Sequence, residues 1–171
     1  SYGNLEFTVD GTVVLDMNGC SIRLSSREAW CGFRITGPTN LFIMNSDDEI
    51  DSFLSYRPVD FGGQIHKLYS QSTIEVNNKQ AELYILDGVH IVLERNANVD
   101  ISKIVSALLI YNIAHLDVYG DVNDTTGVIS AEEENSDGIV FADTTDDKTA
   151  FVDSSVFLRS GSINATGVSV R

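Results

Sequence analysis

The feature that most constrains this chain is a recurring triplet of short strand-like runs, each alternating large apolar side chains with small or polar ones. A repeat must be read before any single residue, because it decides the architecture. One series of runs ends in turn residues and covers 14–19, 41–46, 83–88, 114–120 and 155–161. A second series precedes it at 5–9, 33–36, 73–76, 108–111 and 139–142, and reopens at 168–170. Its starts, near 5, 33, 73, 108, 139 and 168, are separated by 28, 40, 35, 31 and 29 residues. A third, weaker series follows the turns at 20–24, 89–93 and 162–165.

Three short strands recurring in one order describe a coil. Alternation sends one side chain inward and the next outward. Stacking equivalent strands pairs them in parallel and lines up apolar columns inside. The expected fold is therefore all-β: a right-handed parallel β-helix of about five rungs, three short strands per rung, in one domain over 1–171. The uneven spacing is expected, since insertions into solenoids emerge as loops on one face. The longest insertion is placed at 47–72. A β-sandwich or jelly roll also uses many short strands, and Asn18-Gly19 and Asp87-Gly88 would suit its hairpins. The in-register recurrence of the triplets favours the coil. The best helical candidates, 26–30 and 100–106, are short.

The octet Leu15-Asp16-Met17-Asn18-Gly19-Cys20-Ser21-Ile22 resembles the opening coil of bacterial surface proteins with pectin-lyase-like β-helices. The stretches 81–89 and 156–167 look like later coils of that superfamily. These are packing motifs. The superfamily includes polysaccharide lyases, glycoside hydrolases, phage tailspikes, autotransporter passengers and adhesins, so the resemblance implies a fold and leaves function to the site. The Gly-His-Gly turn of polygalacturonase-like enzymes has no counterpart here, and Arg57-Pro58 alone does not make a lyase base. Asp146-Asp147 is an adjacent pair, whereas hydrolysis needs two carboxylates held apart across a sugar. No catalytic residue is assigned, and a non-catalytic module is expected.

With 43 % apolar residues the chain can build a core, and 171 residues suit one domain. A formal net charge of −14 opposes binding to nucleic acid or to anionic lipid. No apolar run reaches the length that crosses a bilayer. Such acidity suits a secreted or cell-surface protein and makes Ca²⁺ the cofactor to consider. Two oxygen-rich stretches offer ligands for it: Asp121, Asn123 and Asp124, then Asp143, Asp146 and Asp147. Neither has EF-hand or β-roll spacing, and a solvated acidic loop is the simpler explanation.

The aromatic insertion supplies the candidate ligand site. Phe53, Tyr56, Phe61 and Tyr69 stand there with Arg57 among them, and flat rings beside hydrogen-bonding groups suit carbohydrate or a protein partner. Rings that simply cover the coil are the competing reading. Cys20 and Cys31 either close a small disulfide loop or remain two separate thiols. The chain opens at Ser1 without Met, and its final pattern at 168–170 resembles an unfinished strand, so a processed protein or excised fragment is expected. A bare terminal rung exposes strand edges and an apolar column, which predicts end-to-end stacking on other protein or on itself.

Overall fold

The computed structural model describes residues 5–24, 32–57, 73–94, 106–112, 115–118, 127–131, 137–141, 155–158 and 162–165. Their regular structure is all β, and no helix occurs among them. The first triplet is β1 (Leu5–Phe7), β2 (Gly11–Asp16) and β3 (Ile22–Leu24). The second is β4 (Phe33–Ile35), β5 (Thr39–Met44) and β6 (Ser52–Tyr56). Then come β7 (Ile74–Asn77), β8 (Glu82–Ile85) and β9 (Val89–Leu93), followed by β10 (Ser106–Asn112), β11 (His115–Val118) and β12 (Gly127–Ala131). The series closes with β13 (Asp137–Phe141), β14 (Ser155–Leu158) and β15 (Ser162–Ala165).

Every third strand pairs. Sheet A runs β1-β4-β7-β10-β13, sheet B runs β2-β5-β8-β11-β14, and sheet C runs β3-β6-β9-β12-β15. All the described pairings are parallel. A sandwich built from hairpins would pair consecutive strands antiparallel, so the topology is that of a β-helix-like coil. The Asn18-Gly19 pair does make a tight turn, with both φ angles positive (46° and 70°) and the Cys20 amide donating to the Met17 carbonyl at 2.8 Å. That turn joins β2 to β3 in different sheets, so hairpin chemistry here turns a corner.

The strand Ser52–Tyr56 corrects the sequence reading, which placed these residues inside the 47–72 insertion. They pair in register with β3 and β9 and supply the second member of sheet C. Residues 58–72 lie outside the described residues, as do 168–170 and both helical candidates, apart from Ser106, which opens β10.

The core is a set of stacked columns. In sheet A, Leu5, Phe33, Ile74, Leu108 and Ile139 share one register position. In sheet B, Val13, Leu41, Leu83, Leu116 and Val156 share another. In sheet C, Ile22, Leu54, Ile91, Ile129 and Ile163 share a third. Phe33, Leu41, Leu54, Ile74, Leu83, Ile91, Leu108 and Ile139 are all buried in a single cluster. Outward columns stack as well. Phe42 and Tyr84, neighbours on β5 and β8, lie face to face with ring centres 4.2 Å apart and planes within 2°.

Between sheets A and B the chain passes one turn of the coil very closely over the next. A Cβ on Gly37 would fall within the van der Waals envelope of the Thr8 carbonyl group. The Gly37 amide donates to the Phe7 carbonyl at 3.1 Å, which holds the two backbones together. Backbone cannot swing aside as a side chain does, so Gly37→Ala is expected to destabilise by about 2 kcal/mol. Chemical denaturation of the variant beside the parent protein measures this.

Candidate functional site

Among the described residues, two regions outside the core stand out, one set by strand parity and one by the outermost strands of the three sheets. The first is the outer face of sheet C. In β6, Ser52, Leu54 and Tyr56 share one face, and Phe53 points the other way. Phe53 is 41 % exposed and stacks on His90 of β9, with ring centres 4.5 Å apart. His90 Nε2 lies 3.0 Å from Asp51 Oδ2, so the ring meets a carboxylate at its edge and Phe53 on its face. On the turn before, the Phe53 amide donates to Ser21 Oγ at 3.3 Å.

Two residues along, the same face carries Arg23 and Ser55. Arg23 Nε donates to Glu94 Oε1 at 2.8 Å, and Ser55 Oγ donates to the same oxygen at 2.5 Å. Partial burial pushes the Glu94 carboxyl up, but these two hydrogen bonds and the charges of Arg23 and Arg57 outweigh it, holding its pKa below the ordinary glutamate value. A depressed folded-state pKa means that Glu94 stabilises the fold above the ordinary carboxylate range and loses that contribution as pH falls through its folded value. Arg23 is well exposed, so the gain is under about 1 kcal/mol. Glu94→Gln should therefore lower the denaturation midpoint slightly at pH 7, and the difference should shrink progressively as pH falls through the acidic range.

The outer face of sheet C gathers part of the expected ligand site. Phe53 and Arg57 are both exposed, and Arg57 lies close enough to act on Glu94. Tyr56 is corrected: it is fully buried, in register with Leu24 and Leu93, and serves the core. Parity requires this, since Phe53 and Tyr56 are an odd number of residues apart in one strand. Phe61 and Tyr69 lie outside the described residues, as do Asp121, Asn123, Asp124, Asp143, Asp146 and Asp147, the expected Ca²⁺ ligands. No cluster of three or more His, Cys, Asp or Glu side chains able to hold a metal ion occurs among the described residues. Cys20 is exposed, and Cys31 lies outside the described residues.

Sequence reading missed the Asp51–His90 pair and the Arg23–Ser55–Glu94 cluster. Their hydrogen-bonded partners are 39 to 71 positions apart, so only the strand register reveals them. The usable signal was the outward column itself, because Phe53 and His90 occupy equivalent places on neighbouring strands.

The second region is the end of the coil formed by β1, β2 and β3. Leu5, which faces inward at the start of its column, is 49 % exposed, whereas its neighbour Phe33 is 1 % exposed. Phe7, Val13, Leu15, Ile22 and Leu24 are only partly buried, although their counterparts on β4, β5 and β6 are covered completely. Val9 and Val14 add further exposed apolar surface. Among the described residues, all three sheets end at these strands. The region therefore presents an apolar cross-section ringed by three strand edges, a template for further parallel strands.

Neither region brings together a nucleophile, a base and an oxyanion donor, or two carboxylates facing a common cleft. Among the described residues, sheet C carries stacked rings and charged hydrogen bonds, and the β1–β3 end carries unpaired strand edges beside apolar surface. Comparisons with protein-family models, with curated proteins and with solved structures each return no match.

Proposed function

We propose that this chain is a right-handed parallel β-helix of five rungs that acts outside the cell as a non-catalytic structural and adhesive module, joined through its end to other protein. Right-handedness rests on the strong preference of parallel crossover connections for that hand. The observation carrying the functional reading is the half-exposed inward column at β1–β3. Further parallel strands, whether of the same protein or of another, would cover that column and complete the three ladders. The formal charge of −14 suits a surface that stays soluble until it meets its partner.

Amide hydrogen exchange tests the open end. The amides of β1–β3 should exchange far faster than those of β5 and β8, which have strands on both sides. First-rung amides protected as strongly as those of β5 would overturn the reading. Absence of catalysis is checked on a panel of acidic and neutral polysaccharides, with and without Ca²⁺, by following reducing ends and unsaturated products. Release of either would refute it.

A second reading is carbohydrate binding on sheet C, favoured by the exposure of Phe53 beside Arg57 and Arg23. Phe53→Ala and Arg57→Ala should each remove glycan-array signals of the parent chain. Signals indifferent to both changes would discard this reading.

A further inference from the structure

We infer that Asn18 is a latent self-modification site, attacked by the backbone nitrogen of Gly19, and that Asn45 holds this site shut in the folded coil. Asn18-Gly19 is the one Asn-Gly pair in the sequence. Glycine puts no Cβ beside its own amide nitrogen, so that nitrogen can approach the asparagine side chain. The new bond joins Gly19 N to Asn18 Cγ. The amide proton passes to water, the Cγ–Nδ2 bond breaks, and Nδ2 leaves as ammonia after taking a proton back. Water then opens the cyclic imide at either carbonyl and leaves aspartate or isoaspartate at position 18. Asn18 is exposed, so water reaches it. The step needs no oxidant, reductant or other co-reactant.

The fold treats the two reacting groups differently. Asn18 Oδ1 accepts from Ser46 Oγ at 3.0 Å. That donor sits where negative charge builds as the carbonyl is attacked, so it favours attack. Protection lies on the nucleophile. The Gly19 amide donates to Asn45 Oδ1 at 2.7 Å, a short bond to a side chain 26 positions on. Asn45 is itself fixed, because its Nδ2 donates to the Asp47 and Ile50 carbonyls. The turn has little freedom to swing round. Asn18 and Gly19 both sit at positive φ, and the Asn18 amide donates to Asp16 Oδ1 at 3.0 Å. Attack therefore waits on an opening of the Asn45 corner. The product would not fit back. Isoaspartate adds a methylene to the chain path through this turn. Either product also adds a carboxylate near Asp16 and near Asp47, whose side chain borders Gly19.

Incubation of the full 171-residue chain in mildly alkaline buffer, followed by peptide mapping and isoaspartate labelling at position 18, tests this. The folded parent should convert far more slowly than the same chain unfolded in urea. Asn45→Ala should speed conversion about tenfold, the share of one hydrogen bond withheld from the nucleophile. That variant also weakens the fold, so Leu83→Ala is the control. Leu83 is buried in the core, away from the corner, and its variant should convert at the parent rate while circular dichroism shows it folded. Asn45→Asp keeps an acceptor for the Gly19 amide and should convert more slowly than Asn45→Ala. Hydrogen exchange on the parent needs no variant at all, and the Gly19 amide should be protected. A parent that converts as fast as the unfolded chain, or a Gly19 amide that exchanges freely, overturns the inference. Asn45→Ala at the parent rate overturns it too, as does Leu83→Ala or Asn45→Asp converting as fast as Asn45→Ala.

Discussion

Leu83→Ala is expected to cost about 4 kcal/mol of stability. Leu83 stands in the middle of its column, fully buried, with Leu41 on one side and Leu116 on the other in register. Removing its side chain opens a cavity walled by neighbouring strands whose backbones are tied into ladders on both sides. Such walls collapse poorly, which places the cost toward the upper part of the range for Leu→Ala. The same column supplies its own control. Val13 lies at the open end and is only partly buried, so Val13→Ala should cost under about 1 kcal/mol. Urea titration of both variants checks the contrast. Equal losses at the two positions would mean that the end is packed as tightly as the middle.

Asn45→Ala carries the second large effect, about 3 kcal/mol, for a reason unrelated to apolar burial. The Asn45 side chain occupies the corner after β5 and ties three successive turns together. Its Oδ1 accepts from the Gly19 amide at 2.7 Å and from Ser52 Oγ at 3.1 Å. Its Nδ2 donates to the Asp47 and Ile50 carbonyls at 2.8 Å and 2.7 Å, and reaches Gly88 O at 3.4 Å. Alanine leaves several of these partly buried groups without a partner, and each carries a desolvation cost. Asn45→Asp separates the two halves of the role. It keeps the acceptor and turns the donor into an oxygen facing carbonyls, so it should lose most of the same stability at pH 7. A result near the parent value would show that the donated bonds contribute little.

Much of the coil was legible because apolar alternation records which side of a strand faces inward. The series behind sheets A and B could be read from runs such as Leu41-Phe42-Ile43 and Leu83-Tyr84-Ile85, whose middle rings stack outside as alternation requires. Sheet C was harder. Ser52 and Ser55 are buried polar residues, and they disguise β6 as a loop. Ser52 is satisfied by Asn45 and Ser55 by Glu94, partners that no local pattern announces. The site was legible to the same degree. Phe53 could be placed outward from its own strand, and Tyr56 should have been placed inward by the same rule. The His90–Asp51 and Arg23–Glu94 contacts needed the register between strands, which depends on the loop lengths between them.

The corner held by Asn45 has a mechanical consequence. Tension along the coil axis loads strand ladders one after another, so a plain coil would peel turn by turn, each releasing about 10 nm of chain for roughly thirty residues. A side chain that grips the corners before and after its own changes that sequence. The turns bearing Gly19, Asn45 and Gly88 would resist together and let go together.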